Sequence, residues 1–262
     1  VGDPLYERIG DRFIPTDVTR SPWGPEFQHG GPACALTVRE VERVAPPDMA
    51  VLRFAVDILR PIPVAPLHPK ARVVRSGRRV QLVEVVVEDN DGAVLLAAHV
   101  WTIRRRDQLI LPDPADPRPE GPPPLDTLQP FEFTFADYTW FGDALEGRLA
   151  GGRIAEPGRA TMWARLRGPV VHGEEPTALQ RLAAMADSGN GISWALPFHE
   201  YLFINTDLSI YLIRDPAGEW FALDSVSHYD PSGRGLAATT LFDGDGYVGQ
   251  SQQALYVDLQ GR

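Results

Sequence analysis

The chain has 262 residues, 44% hydrophobic and 23% charged, enough apolar material to bury a sizeable core in one large domain or two of ordinary size. Its net charge of -10 argues against nucleic acid or an anionic membrane as partner, and no apolar run approaches membrane-spanning length. Cys34 is the single cysteine, so no internal disulfide forms and a reducing cytoplasm fits. No basic-then-apolar leader opens the chain, and the six scattered histidines include no i, i+4 pair, so neither a metal nor another cofactor is expected.

Leu5 to Pro15 reads as a short strand leading into a turn. The breaker-rich stretch Ser21 to Pro32 then opens into a helix over Ala33–Ala45, with Cys34, Val38, Val41 and Ala45 on one face and Pro46-Pro47 as its stop. Four strands are expected next, at Ala50–Leu59, Lys70–Arg75, Val80–Glu88 and Val94–Ile103, separated by turn signals such as Asp89-Asn90-Asp91-Gly92. A helix followed by consecutive antiparallel strands points to an α+β fold rather than a doubly wound parallel sheet.

Seven prolines between Pro112 and Pro124 enforce an extended path that suits neither helix nor sheet interior. They mark a linker at 112–128 between an N-terminal unit, 1–111, and a C-terminal unit, 129–262. The second unit echoes the first. Short strands at Phe131–Phe135 and Ala160–Arg167 precede a helix over Thr177–Asp187, and strands follow at Tyr201–Ile213, Glu219–Ser227, Gly235–Phe242 and Tyr247–Asp258. A local signature repeats as well: Asp57-Ile58-Leu59-Arg60-Pro61 in one half, Ile213-Arg214-Asp215-Pro216 in the other. Two copies of one α+β unit is the simplest account.

The second helix holds the most informative residue. Thr177 and Gln180 form a capping-box pattern, the run Leu182–Ala186 is uncharged, and Asp187 arrives directly after it. A carboxylate there is costly unless something bonds it or uses it, and the negative end of the helix dipole disfavours its charge. Asp187 either opens an Asx-type turn facing water or is a functional acid. Alternation along the strands puts Asn205 and Asp207 on one face, with Thr206 opposite, and pairs Ser251 with Gln253. Such amides either lie on the solvent face or hold a water. His29-Gly30-Gly31 at the first helix entrance is either a plain turn or a place where free N–H groups meet a carbonyl oxygen or an anion.

Phe27-Gln28-His29-Gly30-Gly31 entering a helix, Ala186-Asp187, Asn205-Thr206-Asp207-Leu208-Ser209-Ile210-Tyr211 and Val248-Gly249-Gln250-Ser251-Gln252-Gln253-Ala254-Leu255 together resemble the type II (TesB-like) acyl-CoA thioesterases. The resemblance implies a double hotdog, two tandem repeats of a long helix wrapped by a curved antiparallel sheet. It also implies acyl-CoA as substrate and an Asp, a Thr and a Gln that orient the attacking water. Carried over, these are Asp187, Asn205 in the Thr position, with Thr206 beside it, and Gln253. His29, Gly30, Gly31 and Thr206 are the expected substrate contacts. The hotdog sheets imply pairing between copies of the chain through their edges, and the first repeat has glycine where the second has Asp187, which implies one working site per chain. A non-catalytic acyl-CoA-binding module and a hotdog acyl-CoA hydratase are the competing readings.

Overall fold

The computed structural model describes residues 2–106, 117–153 and 156–260. Two hairpins open the chain, β1 (Tyr6–Ile9) with β2 (Arg12–Pro15) and β3 (Arg20–Ser21) with β4 (Gly24–Gln28). The expected single strand over Leu5–Pro15 is therefore a hairpin, its turn made by Gly10 at a φ of 66° that other residues adopt only with strain. Helix α1 (Gly30–Val44) follows, buried continuously from Gly31 to Val41 and exposed only at its last turn. Its strands are β5 (Met49–Ile58), β6 (His68–Arg75), β7 (Val80–Glu88) and β8 (Val94–Arg104). In β7 alternate residues from Gln81 to Val87 face inward, the period that a half-buried strand requires.

The proline-rich stretch lies in part outside the described residues, and 117–124 forms neither helix nor strand. The second half begins with β9 (Pro130–Phe131), β10 (Leu145–Gly151) and β11 (Ala160–Leu166). The expected strand Phe131–Phe135 shrinks to two residues, and β10 replaces it as the main partner of β11. Helices α2 (Ala178–Ala186) and α3 (Gly189–Ile192) come next, then β12 (Tyr201–Asn205), β13 (Asp207–Leu212), β14 (Phe221–Asp230), β15 (Arg234–Asp243) and β16 (Gly246–Leu259). The run read as one strand over Tyr201–Ile213 breaks at Thr206, whose carbonyl accepts from Ile58 N–H of the first half while its own N–H donates to Ala254.

Strand order carries the repeat. The first half runs β6-β7-β8-β5 and the second β14-β15-β16-β13, each with the strand that follows the long helix at its inner edge. The inner edges pair antiparallel, from Asp57 opposite Asp207 to Arg53 opposite Tyr211, which fuses both halves into one 12-stranded sheet. The helices pack on each other and against the sheet, α1 on β5, β6 and β7 and α2 on β11 and β13. Gly31 of α1 touches Ala184 of α2, while Glu42 at the far end of α1 accepts from Thr177 and Gln180, so the two helices are antiparallel. A Cβ on Gly31 would sit 2.1 Å from the Ala184 carbonyl oxygen, so glycine sets how closely they approach. This is the α+β double-hotdog architecture that the resemblance implies.

Candidate active site

The antiparallel packing brings the end of α2 to the start of α1. The Thr177 hydroxyl caps α2, accepting from Gln180 N–H at 3.1 Å, and the buried apolar run carries the chain to Asp187. Asp187 is only 4% exposed. Its Oδ1 accepts from Asn205 Nδ2 at 2.9 Å and from Gln253 Nε2 at 3.1 Å, the bonds that a buried carboxylate needs in place of water. Gln253 Nε2 also donates to the Asp187 backbone carbonyl at 3.0 Å, and Gln253 Oε1 accepts from Asn190 N–H at 3.2 Å. One amide thus clamps both sides of the turn between α2 and α3. β16 aims it there by alternation: Ser251 and Gln253 face inward, Gln250 and Gln252 outward.

The other carboxylate oxygen, Oδ2, lies 3.1 Å from His29 Nδ1 and against Gly30, where a Cβ would come within 2.7 Å of it. His29 is the N-cap of α1; its Nδ1 accepts from Gly31 N–H at 3.1 Å, and its ring stacks on Phe141 with centroids 4.8 Å apart. Burial pushes the His29 pKa down, and the charge of Asp187 offsets part of that. A polar layer stands behind. Asn190 Oδ1 accepts from the Tyr229 hydroxyl at 2.6 Å and from Ser227 Oγ at 3.2 Å, and Ser193 Oγ donates to the Gly189 carbonyl at 2.8 Å.

Asp187, Asn205, His29 and Gly30 form one wall of a cavity of about 590 Å³ between the two halves. Much of the rest is aromatic: Trp23, Phe135, Phe198 and Phe203 meet largely edge to face, Trp23 and Phe198 with ring centroids 5.2 Å apart. Of the expected site residues, Asp187, Asn205, Gln253, His29 and Gly30 converge. Gln253 sits behind Asp187 rather than in the cavity wall. Gly31 sets the helix approach instead of lining the cavity. Thr206 departs from the expected contact: its side chain is exposed outside the cavity wall and donates to the Ala254 carbonyl at 3.2 Å. Asp207 does not share the inward face with Asn205, because the strand breaks between them; it accepts from Ala254 N–H at 2.7 Å. Among the described residues no group of three or more His, Cys, Asp or Glu side chains converges as metal ligands do.

Two features lay outside the sequence reading of the site. One is Asn190 as the link from Gln253 to the buried hydroxyls, hidden in a Ser-Gly-Asn-Gly run that looks like a plain turn. The other is the aromatic wall from Phe133 to Phe141, whose signal was the alternation Phe131-Glu132-Phe133-Thr134-Phe135.

Comparison with protein families matches residues 19–103 to the acyl-CoA thioesterase N-terminal domain and residues 112–257 to the acyl-CoA thioesterase C-terminal domain. Comparison with curated protein sequences gives no match. Among solved structures, an acyl-CoA thioesterase II TesB2 from Mycobacterium marinum is 17% identical, with 98% of this chain and 96% of that chain covered at a TM-score of 0.70. The tesB protein of Mycobacterium avium subsp. paratuberculosis is 18% identical over 97% of this chain and 95% of its own, with a TM-score of 0.68. A conserved protein with a hot dog fold from Alicyclobacillus acidocaldarius is 17% identical over 97% and 94%, with a TM-score of 0.69. At such identities the solved structures speak for the fold; the family matches cover both halves of the chain.

Proposed function

The chain belongs to the acyl-CoA thioesterase family and is a thioester hydrolase, and from that premise we propose that Asp187 is the general base for the attacking water. The observation that carries this reading is the asymmetry of its carboxylate. Oδ1 is held by Asn205 and Gln253, whereas Oδ2 has no amide donor and lies beside His29 Nδ1, which itself accepts from Gly31 N–H, so Oδ2 is the oxygen to take a proton. Asn205 stands in the cavity wall with its amide oxygen and a second N–H available to hold the water. Gln253 is a positioning residue, since both its N–H groups go to Asp187. Gly30 N–H, at the positive end of the α1 dipole, is the donor for the thioester oxygen as charge develops on it.

The step balances without a cofactor. Water gives a proton to Asp187 and its oxygen bonds to the thioester carbon. The tetrahedral intermediate then collapses with cleavage of C–S, and the proton on Asp187 passes to the departing thiolate. A covalent route through Cys34 has no support: the thiol is buried inside α1, and burial, with a smaller contribution from the charge of Asp187, pushes its pKa well up. The lone reduced thiol fits a cytoplasmic enzyme of acyl-lipid metabolism, and the free edge of the sheet at β6 is where a second copy pairs.

The test is thiol release from a panel of acyl-CoAs by the parent and by Asp187→Asn. The parent frees CoA, and the variant loses on the order of 10²–10⁴ in rate. Turnover by Asp187→Asn within a few-fold of the parent refutes the assignment, while a parent that changes only the acyl chain is a hydratase.

A further inference from the structure

The repeated Arg-Pro signature has no role in the chemistry above, and its two copies have different fates. In each half the arginine stands two residues beyond the end of the strand that follows the long helix: Arg60 after β5 and Arg214 after β13. In the second half the fold consumes it. Arg214 donates to both oxygens of Asp243, at 2.7 and 2.5 Å, and to the carbonyls of Gly246 at 3.0 Å and Tyr247 at 3.1 Å. In the first half no described residue accepts from the Arg60 guanidinium. That side chain is exposed and lines the large cavity.

Arg20, Arg39, Arg72, Arg105, Arg159 and Arg165 are paired with carboxylates. Others, such as Arg12 and Arg75, are exposed without a carboxylate partner among the described residues, but none of these lines the large cavity. Among the described residues lining the cavity, Arg60 alone carries a permanent positive charge, and Asp187 is the only carboxylate. In a chain of net charge -10 the overall field opposes an anionic substrate, and a cation at the cavity offsets it locally. A planar guanidinium with five free N–H groups matches the oxygens of a phosphate. Because the cavity itself is largely apolar and aromatic, the anion belongs to the part of the ligand that stays outside.

We infer that Arg60 anchors a phosphate of the thiol carrier while the acyl thioester reaches inward to Asp187. This rests on the thioesterase reading, and it divides the ligand in two: acyl group against the aromatic wall, phosphate on the arginine at the cavity's exposed side.

The experiment presents one acyl group, octanoyl, on three carriers: CoA, 4′-phosphopantetheine and pantetheine, the last without phosphate. Arg60→Gln raises KM for octanoyl-CoA about tenfold, with kcat within about twofold of the parent, and leaves octanoyl-pantetheine unaffected. Arg12→Gln, an equal change of charge at an exposed position outside the cavity, leaves all three substrates unchanged. An equal KM increase on the phosphopantetheine thioester assigns the contact to the pantetheine-side phosphate, which an acyl carrier protein also presents. An increase confined to CoA assigns it to the nucleotide phosphates. A rise in KM of the same size on pantetheine, or no rise on any carrier, overturns the inference. Binding of free CoA measured by calorimetry requires no turnover, and there Arg60→Gln binds about tenfold more weakly than the parent. If the parent hydrolyses none of the thioesters, the thioesterase reading falls, and equal CoA affinity of parent and variant is what sinks Arg60.

Discussion

On the proposed mechanism, Gln253 governs the rate without meeting substrate. Its side chain is 1% exposed and bonds the backbone and the carboxylate of Asp187 on one side and Asn190 on the other. Gln253→Leu is close in size and removes all three bonds, so Asp187 loses its orientation. The expected result is a fall in kcat on the order of 10² with KM little changed, since small misplacements of a reacting group cost that much. His29 makes a different prediction, on stability. Its pKa is lowered from 6.5 in the folded protein, chiefly by burial. Below that value the unfolded chain takes up a proton that the folded protein resists, so stability is complete above it and is lost as pH falls. Melting temperatures followed from about pH 8 to about pH 5 should decline for the parent and decline less steeply for His29→Asn, which retains a side chain able to cap α1. Parallel curves for the two proteins exclude His29 as the source of the slope.

At the scale of elements, two contacts fix the geometry that the site depends on. Gly31→Ala drives a methyl group into the Ala184 carbonyl and forces α1 away from α2. Overpacking of this kind costs about 1–3 kcal/mol, and the same shift separates Gly30 from Asp187, so denaturant midpoint and kcat fall together. Arg214→Gln leaves Asp243, a fully buried carboxylate, without its ion pair, at a cost of about 3–5 kcal/mol in an unfolding titration; Arg60→Gln, with no partner to abandon, leaves the same titration unchanged. The elements legible in the sequence were those whose period is enforced by burial on one face, such as β7 with its alternating valines and α2 with its uncharged run to Asp187. The illegible ones lacked that pattern. β10 reads Leu-Glu-Gly-Arg-Leu-Ala-Gly, with two glycines and little β preference, and forms because β9 and β11 flank it. α3 is composed of turn residues and is helical because Asn190 is tied to Gln253 and Tyr229. The break at Thr206 leaves no local mark, since the first half causes it through Ile58 N–H. Asp187 was visible because a carboxylate interrupts an uncharged run, whereas Gln253 was told apart from its neighbouring amides only by the family resemblance; the aromatic wall was hidden among prolines and short segments.

For the whole molecule, the matching strand orders place two cavities at the opposite ends of the helix pair, and these are unequal. The larger holds Asp187 where β5 ends and β12 meets β13. The smaller, about 350 Å³, lies where β13 ends and β5 begins. There Arg105 reaches across from the end of β8, donating to the Pro47 carbonyl at 2.8 Å and pairing with Asp215 at 2.9 Å. Glu42, which lines that cavity together with Asp215, accepts from Thr177 at 2.9 Å and Gln180 at 2.7 Å; burial raises its pKa, and those hydrogen bonds offset only part of the rise. It is tied to the first turn of α2, and among the described residues lining the cavity there is no amide pair like Asn205 and Gln253. Arg214, the counterpart of Arg60, is held by Asp243, and Arg105, the arginine lining this cavity, is paired with Asp215. On the proposed mechanism, duplication supplies two frames, of which one is equipped for chemistry and the other holds the halves together. A ketone analogue of an acyl-CoA, with methylene in place of sulfur, should bind with one molecule per chain by calorimetry, and Arg60→Gln should lower its affinity without changing that number. Two equal sites per chain would mean that the smaller cavity opens to substrate despite Arg105, and the asymmetry between the halves would lose its functional meaning.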